Sequence, residues 1–371
     1  MLLTILAFVA VLGPLVFIHE MGHYLVGRWC GVKAEAFSIG FGPELVGWVD
    51  KRGTRWRVAA LPLGGYVRFK GDMNAASQTD PAWLQLPAEE REGSFPSRPL
   101  WQRAAIVAAG PLVNLAFAVV LLGGLAMVRG EAVSDPVIGH VAEGSAAQAA
   151  GLQPGDRIIS IMGRPIDSFQ DIAGIVSLRP NELLPYEIDR GGRRIDTDIA
   201  AGTLIEKDRF GNIYRVGQLG VGSGEITRRD VSLWRAPVVG FQQAVKITRT
   251  AIDGLGQIIT GRRPVSELGG PLKIADISGQ AASMGVETFL FFMALISINL
   301  GFINLLPIPM LDGGHLLFYA IEAVQRRPVS AVVQEWAYRS GLALLLTMML
   351  LVTFNDLGSF GLWRSLSGLI G

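Results

Sequence analysis

The sequence His19-Glu20-Met21-Gly22-His23 lies inside a hydrophobic segment, because residues 1–18 carry no charged side chain and Tyr24 to Gly27 continue the apolar run. One charge at the centre of a membrane helix costs about 2.5–3.5 kcal/mol, so ionisable groups there indicate function. On a helix, residues i and i+4 share a face, so both imidazoles can bind one zinc ion. Glu20 lies between them and is placed to act as a base on water. A chance HExxH motif on a core helix is the alternative, but it leaves these polar groups uncompensated.

The composition is that of a membrane protein. The chain has 371 residues and a mean hydropathy of +0.38, and only 18% of its residues are charged, against about 25% in soluble domains. A net charge of +1 gives no reason to expect nucleic acid as a partner. Cys30 is the single cysteine, so no internal disulfide can form.

Four segments are apolar enough to be transmembrane helices. They are residues 1–27, 101–129, 287–312 and 340–356. The last is short for a span unless Trp336 and Tyr338 extend it into the interface. The first is not a cleaved signal peptide, because it lacks a basic start and a small-residue cleavage site. The sequence therefore predicts a polytopic α-helical membrane protein with four transmembrane helices, a small membrane-associated β-sheet and one inserted α+β domain.

The distribution of basic residues predicts the orientation in the membrane. Lys and Arg are frequent in residues 28–100, and three arginines lie in residues 313–339. The positive-inside rule places both segments in the cytoplasm. Residues 130–286 and both termini, including the C-terminal tail at 357–371, are then outside. The metal ligands are expected toward the cytoplasmic side.

Residues 28–100 are predicted to be rich in β-structure. Val32 to Phe69 alternates in places, and Asp50-Lys51-Arg52-Gly53 is typical of a hairpin turn. A sheet beside the metal helix could pair with an extended substrate by strand addition. A purely structural sheet is the alternative. The polar stretch Asp72 to Pro99 is rich in Pro and Glu and is interpreted as a mobile loop.

A second unit is predicted at residues 130–203. Val137, Ile138 and Gly139 begin a strand, a small-residue helix follows, and Gly155-Asp156 supplies a turn before an apolar strand. This order resembles the PDZ domains of bacterial proteases, in which an exposed strand captures extended peptides. The three strand residues are therefore candidates for substrate binding, and a steric gate is the alternative. Residues 204–286 are amphipathic, and either an interfacial segment on the periplasmic side or a soluble connector fits them.

The third predicted span ends in a broken helix. Pro307 and Pro309 interrupt the helical hydrogen bonds, and unwound backbone in a membrane is tolerated where it lines a cavity. Asp312 follows the break as a candidate carboxylate ligand. Two histidines, one carboxylate and an open fourth position are expected of a catalytic zinc site. The alternative is that Asp312 is the N-cap of a helix beginning near Gly314.

These motifs together resemble the site-2 protease family of intramembrane zinc metalloproteases, and most closely its bacterial regulator of sigma-E protease branch. The resemblance covers nearly the whole chain. Its motifs are the HExxH sequence, Gly110-Pro111-Leu112-Val113-Asn114, the PDZ-like unit, and Asn304 to His315. Branch members carry tandem PDZ domains, whereas this sequence has one convincing PDZ-like unit.

The resemblance implies an activity, a location and a set of site residues. Family members cleave transmembrane segments of substrates already trimmed outside the membrane, such as an anti-sigma factor or remnant signal peptides. It implies a multi-pass protein of the bacterial inner membrane, in contact with lipid. His19, His23 and Asp312 would hold one Zn²⁺ per chain, and Glu20 would be the catalytic base. Asn304 would hold the substrate backbone, with helix–helix hydrogen bonding as the alternative for Asn304 and for Asn114.

The motifs also bear on two other classes of protein. A membrane-anchored metalloprotease acting on soluble proteins would need a third ligand soon after the motif, and residues 27–56 contain no histidine. A non-catalytic PDZ scaffold would have no use for intact metal-ligand motifs. Both are less consistent with the sequence than an intramembrane protease.

Overall fold

The computed structural model describes residues 2–72, 87, 91–207, 213–225, 227–262 and 269–359. The helices among them are α1 (Leu2–Trp29), α2 (Leu100–Arg129), α3 (Ala146–Ala149), α4 (Phe169–Val176), α5 (Ala236–Ile259), α6 (Pro271–Ser283), α7 (Val286–Asn304), α8 (Asp312–Gln325) and α9 (Ala331–Ser359). The strands are β1 (Ala34–Val49), β2 (Arg55–Phe69), β3 (Glu131–Val133), β4 (Ile138–Val141), β5 (Arg157–Ile161), β6 (Arg164–Pro165), β7 (Leu183–Arg190), β8 (Arg193–Ala200), β9 (Gly202–Lys207), β10 (Ile213–Gln218), β11 (Val221–Ser223) and β12 (Thr227–Arg229).

The chain divides into two compact units. The helical unit comprises Met1–Leu122, Gly240–Thr248 and Leu268–Phe354. The β-rich unit comprises Gly123–Val239, Arg249–Glu267 and Asn355–Gly371.

Four helices confirm the prediction of a membrane protein. α1, α2, α7 and residues 332–358 of α9 are long and apolar enough to cross a membrane. Many of their large apolar side chains face outward, as Leu2, Leu6 and Val120 do. Lipid solvates such side chains as well as a protein core does. Inside the helical unit, Val11 and Leu15 of α1 pack with Phe292 and Met293 of α7.

The last two apolar helices have bounds that differ from those of the predicted spans. The third, predicted at 287–312, ends at Asn304, and α8 begins only at Asp312, because prolines fall in the intervening turn. The fourth, predicted at 340–356, is the 29-residue helix α9, which contains Trp336 and Tyr338. Residues 313–339 are therefore largely helical rather than a simple connection. Glu335 and Arg339 are charged, so the sequence did not indicate that the apolar helix begins before them. The two form an i,i+4 ion pair, with 2.6 Å between Arg339 Nη2 and Glu335 Oε1.

A long antiparallel hairpin follows α1, as the sequence predicted. Its turn is fixed by Asp50 Oδ1, which accepts hydrogen bonds from the backbone amides of Arg52 and Thr54 at 2.8 and 2.9 Å. The hairpin is folded further than expected, since residues 36–39 of β1 pair with residues 55–58 and with 65–68 of β2. Most of the predicted mobile loop at 72–99 lies outside the described residues.

The hairpin packs against the helix that carries the HExxH motif. Tyr24 of α1, Phe37 of β1 and Phe69 of β2 belong to one buried apolar cluster, together with Ile106 of α2. Gly27 of α1 lies against the Phe69 ring, where an added Cβ would overlap it. This packing holds the second half of β2 beside α1.

The β-rich unit contains a four-stranded sheet in the order β6-β5-β7-β8. Its core is made of buried isoleucines from the strands and α4, including Ile158, Ile172, Ile188 and Ile199. Strand pairing continues beyond the predicted boundary at residue 203. β11 pairs with β4 and β12 with β3, so the folded unit continues to Arg229. These strands are three residues long, too short for an alternating pattern to reveal them. Its identity as a PDZ domain stays a prediction.

The segment predicted as amphipathic, 204–286, is thus partly β-structure. Among the residues of this segment that the structure describes, only those of the second part are helical, in α5 and α6. α5 exposes apolar side chains such as Val238, Phe241 and Ile259. A position along the membrane interface stays a prediction for these helices.

Candidate metal centre

Helix α1 presents three ionisable side chains within an apolar span. His19 and Glu20 are 8% and 7% exposed. The i,i+4 spacing brings His19 and His23 together, with 3.3 Å between their Nε2 atoms. Buried polar groups in such surroundings need partners. For these two histidines the partner is Asp312.

Asp312 reaches the histidines from the first turn of α8. The N-cap of α8 is Leu311, so Asp312 is not the N-cap that the alternative interpretation required. The following glycines let the non-helical loop fold closely onto the start of α8. An added Cβ on Gly313 or Gly314 would overlap loop carbonyl groups, those of Leu306 and Ile308 among them. The break in the helix and the two glycines together aim the carboxylate at α1.

The three ligand atoms have the spacing of a zinc site. Asp312 Oδ2 lies 3.2 Å from His19 Nε2 and 3.6 Å from His23 Nε2. Zinc–ligand bonds of about 2.0–2.2 Å in a tetrahedral arrangement separate neighbouring ligand atoms by about 3.3–3.6 Å. The donor set therefore fits one zinc ion and leaves one coordination position open. No other such group of His, Cys, Asp and Glu occurs among the described residues.

Helix α2 orients both imidazoles. His23 Nδ1 donates to the carbonyl of Ile106 at 2.8 Å, which directs its Nε2 atom toward the metal position. His19 Nδ1 lies 3.2 Å from the side-chain amide of Asn114. Gly110 completes this wall, because a Cβ there would overlap the His23 ring. The motif Gly110-Pro111-Leu112-Val113-Asn114 thus supports the ligands from behind.

A cavity of about 450 Å³ opens onto the candidate ligands. Glu20, Asn304 and His315 line it, as do residues 64–67 of β2. Gly65 is close to Glu20, since an added Cβ would lie 2.8 Å from Glu20 Cγ. The side chain of Asn304 makes no hydrogen bond to any described residue. The structure therefore gathers His19, Glu20, His23, Asp312 and Asn304 into one site.

The three predicted peptide-binding residues do not line this cavity. Val137, Ile138 and Gly139 belong to the β-rich unit, where Ile138 is 1% exposed and part of the core. The backbone of Ile138 bonds to Asp156 and Gly155 on one side, and β11 pairs on the other. Strand addition here would have to displace existing hydrogen bonds. The role of these residues stays a prediction.

Two contributors to the site were not identified from the sequence. His315 Nδ1 lies 3.1 Å from the hydroxyl of Tyr338, which joins α8 to α9 beside the cavity. Gly65 lies against Glu20 and directly follows Gly64 in β2. A glycine pair inside an apolar strand is the signal that could have marked a close approach there.

The chain is similar to a family of peptidases over most of its length. The model of peptidase family M50 matches residues 7–348. A protein of Agrobacterium fabrum whose name describes a zinc metalloprotease is 42% identical over 360 residues, covering 96% of each chain. A similarly named protein of Rhizobium meliloti is 44% identical over 363 residues, covering 95% of this chain and 96% of the relative. Metalloprotease MmpA of Caulobacter vibrioides is 37% identical over 392 residues, covering 99% and 98%.

Proposed function

Because this chain belongs to peptidase family M50, the site-2 protease family, we propose that it is an intramembrane zinc metalloendopeptidase. Its reaction is the hydrolysis of peptide bonds within transmembrane segments of substrates that have already been trimmed. The observation that carries the proposal is the cluster of His19, His23 and Asp312, with Glu20 beside it, on helices of a membrane protein. Relatives named as zinc metalloproteases support the choice of metal and reaction.

The protein residues divide the chemistry between them. His19, His23 and Asp312 would hold the metal. When bound, zinc supplies Lewis-acid chemistry, which makes water a stronger acid and polarises a carbonyl group. Glu20 takes the proton from the attacking water and passes it to the leaving amine. Its burial beside Gly65 keeps the carboxylate at the cavity wall that the substrate must approach.

The cavity also suits an extended substrate. A transmembrane helix hides its carbonyl groups in internal hydrogen bonds, so it must unwind before cleavage. Residues 65–68 of β2 pair with residues 36–39 of β1, and residues 64–67 line the cavity. We propose that a substrate adds to β2 as a strand there, which replaces the hydrogen bonds lost on unwinding. We propose that the side chain of Asn304, which lines the same cavity, binds this backbone.

The substrates and the location follow from the same proposal. We propose an anti-sigma factor or a remnant signal peptide as substrate, cut during regulated intramembrane proteolysis in the bacterial inner membrane. The basic residues at 28–100 favour a cytoplasmic position for the hairpin and for the metal end of α1. The β-rich unit is then periplasmic and restricts entry to trimmed substrates.

A comparison of two reporters tests the function. The purified chain in liposomes is offered one reporter whose cleavable segment crosses the bilayer and one soluble reporter with the same segment. Cleavage of the membrane reporter alone is expected, and Glu20→Gln should reduce it by about 10²–10⁴-fold, the usual worth of a general base. Zinc content should not change in this variant. Preferred cleavage of the soluble reporter would instead identify a membrane-anchored protease of soluble proteins.

A further inference from the structure

An ion pair joins the helix that carries Asp312 to the helix that orients His23. Arg103 Nη2 of α2 lies 2.6 Å from Glu322 Oε1 of α8, and the two side chains are 19% and 18% exposed. Arg103 is one turn before Ile106, whose carbonyl accepts the hydrogen bond from His23. Glu322 lies near the other end of the helix that begins at Asp312. The pair therefore connects the supports of two candidate metal ligands.

The guanidinium group of Arg103 makes two further contacts that fix its position. Its Nε donates to the carbonyl of Arg98 at 3.2 Å. Its Cζ atom lies 5.0 Å from the centre of the Tyr319 ring, within the range of a cation–π interaction. Tyr319 is on the same face of α8 as Glu322, because the two are three residues apart. One guanidinium group thus binds two positions of α8, and the point charge of a lysine could not reproduce this geometry.

The same group of side chains reaches the end of α1. Nη2 of Arg98 donates to the carbonyl of Gly31 at 2.7 Å, just after α1 ends at Trp29. The Tyr319 ring also packs against the buried cluster that contains Tyr24 of α1. The helices α1, α2 and α8 are therefore all held at this one place.

A metal site tolerates little movement of its ligands, whose distances must be correct to within about 0.2 Å. Roughly 15 Å of helix separates Glu322 from Asp312, at about 1.5 Å per residue. A tilt of about 5° about one end of such a helix moves the other end by about 1.3 Å. Loss of the contacts at Glu322 would therefore move Asp312 by more than the metal site allows.

We propose that Arg103 and Glu322 are positioning residues that set the direction of α8. Through that direction they place Asp312 at the right distance from the two histidines. Neither is among the described residues that line the cavity, so both act through the helices rather than on the substrate. The inference rests on the metal site of the proposed function and extends it to two residues outside the cavity.

Zinc affinity of the purified full chain, measured by competition with a chelator, tests the positioning role. Glu322→Gln and Arg103→Gln should each weaken binding by about 10-fold or more, the lower end of the usual effect of losing a contact that supports the ligands. The double variant should bind no more weakly than either single variant, because the two changes remove one shared interaction. Arg339→Gln is the matched control, since it removes the exposed pair with Glu335 on α9, and should leave the affinity unchanged.

Hydrogen exchange, measured with chelator present, gives a second result that does not depend on the metal. The amides of Gly314 and His315 donate to the carbonyl of Leu311 in the first turn of α8. Glu322→Gln should make these amides exchange several-fold faster, although they lie roughly 15 Å away. Arg339→Gln should leave their exchange unchanged.

Native zinc affinity in the folded glutamine variants, or losses that add up in the double variant, would overturn the positioning role. Faster exchange confined to the end of α8 around Glu322 would overturn it too. If the glutamine variants do not fold, Arg103→Lys replaces them, since it keeps the charge but not the planar set of donors. It should still weaken zinc binding, and native affinity in it would count equally against the proposal. A native chain that binds no zinc would refute the proposed function, while the exchange of α8 would still decide the positioning role.

Discussion

Asp312 in the helical unit and Asp156 in the β-rich unit are both carboxylates largely removed from solvent, but their partners differ. Asp156 is bound by the Arg190 guanidinium at 2.7 Å and by the backbone amide of Gln153 at 2.8 Å. Asp312 faces two imidazoles that carry no permanent charge. The negative charge of a carboxylate paired with arginine is already neutralised, so the role of Asp156 is structural. A carboxylate grouped with two imidazoles instead completes a set of donor atoms that could hold a metal ion, which makes Asp312 a candidate ligand.

Of the changes that test this difference, substitution of Asp312 should have the largest effect on zinc content and on cleavage. Asp312→Ala leaves two histidine ligands, so both zinc content and cleavage should be lost, with a fall in activity of at least about 10²–10⁴-fold. Metal analysis of the folded variant checks this, and Glu335→Ala on exposed α9 surface is the control. Should Asp312 matter only to the helix start, the cost would be about 0.5–2 kcal/mol of stability with zinc retained.

Removal of the β-rich strands tests whether the two regions are separable. Glu131 and Arg229 are paired across β3 and β12, so a short flexible linker can replace the residues between them. Zinc binding and cleavage of a trimmed substrate should persist, and substrates with a bulky outer domain should now be cut. Reporter cleavage with both substrates measures this. If the folded, zinc-loaded variant cannot cut even the trimmed substrate, the unit is a docking site instead.

Gly110→Ala tests whether the contact between α2 and the His23 ring is needed for zinc binding. The new methyl group would overlap the His23 ring, so the ring must move, and zinc affinity should fall by about 10–100-fold. Gly124→Ala on the same helix is the matched control, because its Cβ meets nothing within 4 Å. Equal zinc affinities for the two variants would show that His23 can shift without cost.

The smallest effect is expected at the Asp156 pair, and it depends on pH. Burial opposes ionisation of Asp156, but hydrogen bonds from Arg190 and Gln153 outweigh it and hold its pKa below the ordinary value of 3.8. A lowered pKa stabilises the fold above that value, and the contribution is lost as pH falls through the folded pKa. Arg190→Gln should therefore increase hydrogen exchange in β5 and β7 at pH 7.

The difference between Arg190→Gln and the native chain should shrink below pH 3.8. Arg194→Gln removes an exposed pair with Glu187, and exposed pairs contribute little. It should match the native chain at every pH. An Arg190→Gln difference that persists in acid would mean that packing, rather than charge, accounts for its effect.

The sequence predicted the parts of the molecule that rest on burial and short-range spacing. Charged residues in an apolar run identify His19, Glu20 and His23, and helical spacing alone places the histidines together. The broken helix before Asp312 was predictable because proline lacks the amide hydrogen that a helix requires. The four apolar helices follow from hydropathy.

Features that depend on distant partners were not predictable from local pattern. Residues 36–39 of β1 pair with two different parts of β2, residues 55–58 and 65–68. This double pairing involves register shifts that the local sequence does not reveal. β11 and β12 are short strands that pair with segments far earlier in the chain. The support that Gly110 gives His23 depends on how closely α1 approaches α2. In each case the contacting residues lie far apart in the sequence, so a short stretch of sequence cannot predict the contact.

The three candidate metal ligands lie far apart in the sequence, and this fixes the order in which they are synthesised. His19 and His23 leave the ribosome first, whereas Asp312 follows much later. At about 5–20 residues per second, the two events are separated by roughly 15–60 seconds. During that interval the candidate site lacks one of its three proposed ligands. Because the site is divided between α1 and α8, it can form only after the chain has been synthesised as far as Asp312.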